Sequence, residues 1–178
     1  MVFTGVEIFE IIVTIFIVGF IFEKLFQLPA PFKEQGTLKR TLLSSLILSP
    51  GIILHELGHK FVALAFGCSA TYQMSFFGLL IGVILKLIDF PFFFFIPAYV
   101  SISSIPSRIA YFSIAIAGPL VNAGLFLFFW TFLKLRKVRG RRAFYFFIAS
   151  RMNLYLFILN LLPIPGTDGY QALAAILG

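Results

Sequence analysis

Residues 41–66 read TLLSSLILSPGIILHELGHKFVALAF, an apolar stretch long enough to cross a lipid bilayer as one helix. Both histidines of the chain, His55 and His59, lie in its HELGH pentapeptide. Residues four apart share one face of a helix, so the two imidazoles can bind a single metal ion while Glu56 reaches a water molecule beside that ion. Zinc lowers the pKa of such a water to about 7, and a carboxylate can take its proton. The stretch therefore predicts a zinc hydrolase site at membrane depth.

The composition of the chain supports a membrane setting. Hydrophobic residues make up 60% of the 178 residues and charged residues only 12%, whereas about 25% of the residues of a soluble domain are charged. The net charge of +7 does not indicate nucleic acid as a partner, because the basic residues lie in short loops without interleaved base-stacking aromatic residues. We expect an integral, multi-pass protein of the cell membrane that has the lipid bilayer as a partner.

Four segments are apolar and long enough to be membrane-spanning helices: residues 6–26, 41–66, 109–133 and 144–162. The first exceeds the roughly 15 residues of a signal-peptide core and has no basic residues before it, so we expect it to be retained. It forms an N-terminal region, residues 1–40, with the proline-broken connector at 28–36. Within the second segment, Pro50 and Gly51 predict a kink about one turn before His55.

Residues 67–107 are apolar but are interrupted by glycine, charge and proline, as at Gly82, Lys86, Asp89 and Pro91. Irregular backbone is tolerated at membrane depth only where it packs on protein or lines a wet cavity. We therefore expect a re-entrant or β-hairpin-like element here rather than a complete crossing. The predicted fold is an all-α polytopic membrane protein with about four transmembrane helices and this element between the second and third.

A site with two histidines needs a third protein ligand to hold zinc and leave a position for water. The chain has no other histidine and a single cysteine, so the ligand must be a carboxylate. Depth favours Asp168 over Asp89, because His59 and Leu162 each lie 18 residues into their predicted spans, about 27 Å from a basic-flanked end. The ligands then meet if the second and fourth spans are parallel. Parallel spans require an odd number of crossings between them, and the third span supplies one. By this parity argument, residues 67–107 do not cross completely.

Three motifs follow one another along these predicted spans. They are HELGH at 55–59, Gly118-x-x-x-Asn122 in the third span, and Asn160-x-x-Pro163-x-x-x-x-Asp168-Gly169 closing the fourth. Together they resemble the site-2 protease family of intramembrane zinc metalloproteases. The chain resembles a minimal member of that family, without the appended PDZ or CBS modules of larger members. The resemblance implies that residues 41–178 form a catalytic core that cleaves a transmembrane protein substrate within the bilayer.

The resemblance also implies a role for each matching residue. His55, His59 and Asp168 would be the ligands of one Zn²⁺ ion per chain, and Glu56 would be the catalytic base. Asn160 and Asn122 would bind substrate or stabilise the oxyanion, a role that side-chain amides can fill. Structural roles are the alternatives: Asp168 could cap a terminal helix, and Asn160 could form an interhelical hydrogen bond.

A second function class remains open from the sequence. The chain could be a non-catalytic metal-binding membrane scaffold or a transporter-like bundle rather than an intramembrane metalloprotease. Glu56 favours the enzyme, because a site that only binds metal needs no carboxylate beside its ligand, whereas hydrolysis needs a general base.

Two arguments about orientation in the membrane disagree. Ten of the 14 lysines and arginines flank one side of the predicted spans, including six in residues 134–142. The positive-inside rule places that side in the cytoplasm and the metal nearer the outer face. The family resemblance implies the reverse, with the metal nearer the cytoplasm.

Overall fold

The structure is a computed structural model that describes residues 2–27, 36–90 and 95–177. Most of the predicted connector at 28–36, and Pro91 with the phenylalanines that follow it at 92–94, lie outside the described residues. In chain order the elements are α1 Gly5–Ile21, a short 3-10 helix Glu23–Phe26, α2 Thr37–Ile47, α3 Ser49–Ala65, β1 Ser69–Met74, α4 Phe76–Leu87, β2 Ala98–Ser103, α5 Arg108–Lys134, α6 Arg141–Leu161 and α7 Asp168–Leu177. The fold is mostly helical, as predicted, and it contains one small sheet.

Among the described residues, three helical stretches are long and apolar enough to cross a membrane. The first is Thr37–Ala65, which combines α2 and α3, and the others are α5 and α6. In this order they correspond to the second, third and fourth predicted spans. The first predicted span is not among them. Its helix α1 has 17 residues, about 26 Å of helix, before the chain tightens into the 3-10 helix. Four transmembrane helices are therefore not confirmed, whereas three are compatible with a membrane protein.

The second predicted span is broken next to Pro50. Helix α2 ends at Ile47, and α3 begins at Ser49 with Pro50 in its first turn, where a missing backbone N–H costs little. Backbone groups at the break are hydrogen-bonded: the Leu48 N–H donates to the carbonyl of Ser44 at 2.9 Å, and the Gly51 N–H donates to the carbonyl of Leu48 at 3.0 Å. The Ser49 hydroxyl also donates to the carbonyl of Ile15 in α1 at 3.0 Å. The helix is therefore interrupted where the sequence predicted a kink, before His55.

The two strands form an antiparallel pair around α4. Ser69 lies opposite Ser103 at one end of the pair, and Met74 lies opposite Ala98 at the other. Because the outer ends are paired, the chain leaves this segment beside the point where it enters. The 12 residues of α4 span about 18 Å, less than the roughly 30 Å of a bilayer core. This path is compatible with an element that does not cross, which stays a prediction.

Helix α1 covers the free edge of β1 with two glutamates. The Tyr72 N–H donates to Glu7 Oε1 at 2.7 Å, and the Met74 N–H donates to Glu10 Oε2 at 3.0 Å. Glu7 also forms a buried ion pair with Lys60 of α3, whose side chain is 1% exposed. An uncovered strand edge leaves backbone donors unpaired, so these carboxylates complete the hydrogen bonding that the two-stranded sheet lacks.

Helices α3 and α6 run in the same direction. A Cβ atom built on Gly51 would lie 2.9 Å from Oδ1 of Asn153, so the two helices touch there. Further along α3, His55 contacts Asp168, which lies beyond the end of α6. The order of these contacts gives the parallel arrangement that the parity argument requires. Helix α5 packs against α3, α6 and α7.

We predict that residues 67–107 enter and leave on one side of the membrane. In a Cys68→Ala background, single substitutions Ser69→Cys and Ser103→Cys should both react with an impermeant maleimide added to that side, because the two positions are paired and exposed. Lys137→Cys, beyond α5, is the control and should react from the opposite side. Labelling of positions 69 and 103 from different sides would show a complete crossing.

Candidate metal centre

His55 and His59 lie one turn apart on the buried face of α3. Their side chains are buried, and their Nε2 atoms are 3.1 Å apart. Polar groups this deep in an apolar helical bundle are costly unless they bind something, and in membrane proteins they mark functional sites. The spacing predicted from the sequence therefore brings both imidazole nitrogens to one point.

Asp168, the first residue of α7, supplies a carboxylate to the same point. Its Oδ2 lies 3.0 Å from Nε2 of His55, and its Oδ1 lies 3.4 Å from Nε2 of His59. One ligand atom from each of the three residues falls within 4.8 Å of the others. In a tetrahedral site with metal–ligand distances of 2.0–2.1 Å, ligand atoms lie about 3.3 Å apart. The three side chains therefore fit a single metal ion.

Thr167 holds the beginning of α7. Its side chain is buried, its hydroxyl lies 2.5 Å from the carbonyl oxygen of Leu162 and 2.8 Å from that of Ile164, and it accepts the N–H of Tyr170 at 3.3 Å. Thr167 therefore caps α7, so the helix has a cap other than Asp168. The carboxylate of Asp168 faces the imidazoles instead.

A backbone carbonyl of α5 orients His59. Nδ1 of His59 lies 2.6 Å from the carbonyl oxygen of Ile114, which has no proton to give, so the imidazole donates Nδ1–H. This bond leaves the lone pair of Nε2 directed at Asp168 and His55, as a metal ligand requires. The sequence did not reveal this contact, because an apolar residue that contributes only its carbonyl leaves no mark in a pattern of side chains.

Gly118 of α5 faces the two imidazoles. A Cβ atom at this position would lie 2.6 Å from Nε2 of His55 and even closer to Nε2 of His59. Only a hydrogen atom fits there, so the glycine keeps open the space in front of both nitrogens. This contact explains why the motif has glycine at position 118: a larger side chain would collide with the imidazoles.

All the predicted site residues line one cavity of about 470 Å³. They are His55, Glu56, His59, Asn122, Asn160 and Asp168. The volume is in the range of small-molecule sites, about 300–1,000 Å³. Residues of β2, among them Tyr99 and Val100, contribute to the lining, as do Tyr155 and Leu159 of α6. The structure brings the predicted residues together, and their individual roles stay predictions.

Asn122 is fully buried at this cavity. Among the described residues, neither its Oδ1 nor its Nδ2 has a hydrogen-bond partner. A buried amide without a partner costs about 1–3 kcal/mol, so both polar atoms of Asn122 remain able to pair with a group that enters the cavity. Asp89, the competing carboxylate, is exposed, pairs with Lys24 and does not line this cavity.

Comparisons with known proteins point to the same chemistry. The chain is 29% identical over 174 residues to a protein of Methanocaldococcus jannaschii named "Putative zinc metalloprotease MJ0611", a match that covers 96% of this chain and 85% of that protein. No model of a protein family matches the chain, and no solved structure matches it. The relative supports a metalloprotease, whereas the likeness to site-2 proteases still rests on the three sequence motifs.

We predict that Gly118→Ala abolishes metal binding. The added methyl group would occupy the space beside both Nε2 atoms, so metal per purified chain, measured by plasma mass spectrometry, should fall from about one to near zero. Gly124→Ala is the matched control on the same helix, because a Cβ there meets no other atom within 4 Å. Equal metal content in the two variants would contradict the placement of the metal in front of Gly118.

We predict that Asp168→Ala lowers the metal content and that Asp89→Ala does not. Removing one of three protein ligands weakens binding steeply, whereas Asp89 is remote from the imidazoles. Both variants should be compared after the same dialysis against a weak chelator. Metal lost from Asp89→Ala but kept by Asp168→Ala would overturn the ligand set.

Proposed function

We propose that this protein is an intramembrane zinc metalloprotease of the site-2 protease type, which hydrolyses a peptide bond within a transmembrane substrate. The observation that carries the proposal is that ligand atoms of His55, His59 and Asp168 lie close together at the wall of a cavity that Glu56 also lines. The three described helical stretches that are long and apolar enough to cross a membrane all contribute residues to the lining of this cavity. The M. jannaschii relative supports the metalloprotease part of the proposal.

Zinc suits the donor set of the site. Two imidazole nitrogens and one carboxylate oxygen are the protein ligands of a common class of catalytic zinc site, and they leave a fourth position open. When bound, zinc supplies a Lewis acid that polarises a carbonyl group and makes water acidic enough to lose a proton near neutral pH. The Nδ1–H bond from His59 to Ile114 fixes one of these ligands in the required tautomer.

Glu56 acts as the general base in this mechanism. Its carboxylate follows His55 on α3 and lines the same cavity. It takes a proton from water while the water oxygen forms a bond to the carbonyl carbon of the substrate. It then delivers that proton to the amide nitrogen as the carbon–nitrogen bond breaks, so the products are a carboxylic acid, which keeps the second proton of the water, and an amine. Such acid–base groups typically contribute about 10²- to 10⁴-fold in rate.

Asn122 and Asn160 bind the substrate chain beside the bond that is cut. The Nδ2 group of Asn122 has a free donor at the cavity, and Asn160 lines the same space at the end of α6. An amide donor aimed at the developing oxyanion stabilises the transition state more than the ground state. The two residues therefore serve as an oxyanion donor and a substrate contact.

We predict that Glu56→Gln abolishes cleavage and leaves zinc in place. Glutamine keeps the size and polarity of the side chain but cannot accept the proton, so activity on a panel of transmembrane peptides should fall about 10²- to 10⁴-fold. The metal ligands are unchanged, so zinc content and thermal unfolding should match those of the wild type. Asp89→Asn is the control, since it also removes one carboxylate, on the surface.

The assay uses detergent-solubilised protein with and without a zinc chelator. Wild-type cleavage should stop with chelator and return when zinc is added back. Cleavage by Glu56→Gln at the wild-type rate would exclude the base mechanism. Bound zinc with no cleavage of any peptide by the wild type would favour the metal-binding scaffold instead.

A further inference from the structure

A second cavity, of about 200 Å³, lies away from the metal centre and shares no lining residue with the first. It is a groove between the α2–α3 junction and the helices α5 and α6. Its walls include Leu46, Pro50 and Gly51 on one side and Leu125 and Phe129 on the other, with Arg142 at one end. The proposed peptidase activity does not use this groove.

The groove runs from the end of the apolar spans into their interior. Arg142 lies in the first turn of α6, directly after the basic loop that follows Lys134. Leu125 lies nine residues before Lys134 on α5, about 14 Å of helix from that end. A ligand that fills the groove therefore has its polar end at the level of the basic loop and its apolar part among the helices.

Charge and shape identify the ligand class. Arg142 is the only charged residue that lines the groove, and in the part of the chain that the structure describes no acidic side chain pairs with it. Six lysines and arginines fall within residues 134–142, so the surroundings attract an anion. Guanidinium groups bind phosphate with two parallel hydrogen bonds, and basic pockets between transmembrane helices bind anionic headgroups.

We propose that this groove binds an anionic phospholipid, with part of one acyl chain between α2–α3 and α5–α6 and the headgroup phosphate on Arg142. The groove is smaller than the roughly 300 Å³ at which sites for drug-sized ligands begin, but it accepts part of a narrow hydrocarbon chain. A soluble phosphate would bind Arg142 but would make no contact with the apolar walls. A phospholipid contacts both the arginine and the apolar walls.

The bound lipid contacts the first turn of α3, the helix that carries both histidines. Pro50 and Gly51 line the groove, and His55 follows Gly51 by four residues. The lipid therefore stabilises the helix that carries both imidazoles, and its binding can be measured without any assay of proteolysis.

The test measures lipid retained by the full-length protein in mild detergent, by native mass spectrometry, after addition of phosphatidylglycerol or phosphatidylcholine. The wild type should retain about one phosphatidylglycerol per chain in preference to phosphatidylcholine. Arg142→Ala should weaken phosphatidylglycerol binding about fivefold, which corresponds to the roughly 1 kcal/mol of one arginine near an anionic surface. Arg139→Ala, in the basic loop just before α6 and outside the groove, should bind as the wild type does.

A second variant tests the apolar part of the site without changing charge. Leu125→Phe fills the groove and should reduce phosphatidylglycerol retention while helical content and zinc content stay unchanged. Inorganic phosphate at equal concentration should not displace the lipid. Equal binding by wild type and Arg142→Ala, equal retention of the two lipids, or displacement by phosphate would each overturn the proposal, whether or not the protein cleaves peptides.

Discussion

The contact between α5 and the two imidazoles of α3 is the constraint on which the rest of the structure depends. At Gly118 the backbone of α5 comes so near His55 and His59 that a single methyl group would collide with both. The same helix supplies the Ile114 carbonyl that orients His59 and the Asn122 amide that faces the cavity. Helix α5 thus leaves the space in front of both imidazoles, fixes the tautomer of His59 and supplies an amide donor to the cavity. Its residues are small or buried where they meet α3.

Buried charge outside the metal centre ties the remaining elements to this pair of helices. Lys60 follows His59 directly and forms its ion pair with Glu7 of α1, while Glu7 also accepts the Tyr72 N–H of β1. Removing one partner of a buried pair typically costs about 3–5 kcal/mol, because the other charge is left without compensation. The short first helix is therefore joined to the metal helix and to the sheet by one carboxylate. This arrangement gives α1 a place in the fold that does not require it to cross a membrane.

Much of the helical frame and of the site could be predicted from the sequence, because both follow from periodicity and length. The four-residue spacing of the histidines, the break at Pro50 and the depth of Asp168 need only helix geometry. The strands were predicted less well, since Ala70 and Tyr72 alternate into the interior over only six residues. Hydropathy alone could not show that the first helix would end after 17 residues, and carbonyl contacts such as that of Ile114 leave no side-chain signal.

On the proposed function, the position of the candidate metal site along α5 explains why a large cavity is needed. Gly118 lies ten residues from the Arg108 end of α5 and sixteen from the Lys134 end, about 15 Å and 24 Å of helix. On the proposed function, water and a peptide chain must both reach that level, and an apolar bundle packed to ordinary density admits neither. A cavity of about 470 Å³ with carboxylate and amide groups at the imidazoles provides polar surface for water there. The apolar side chains of α6 and β2 that complete its lining suit a substrate that comes from the lipid, so on the proposed function one cavity admits both water and the substrate chain.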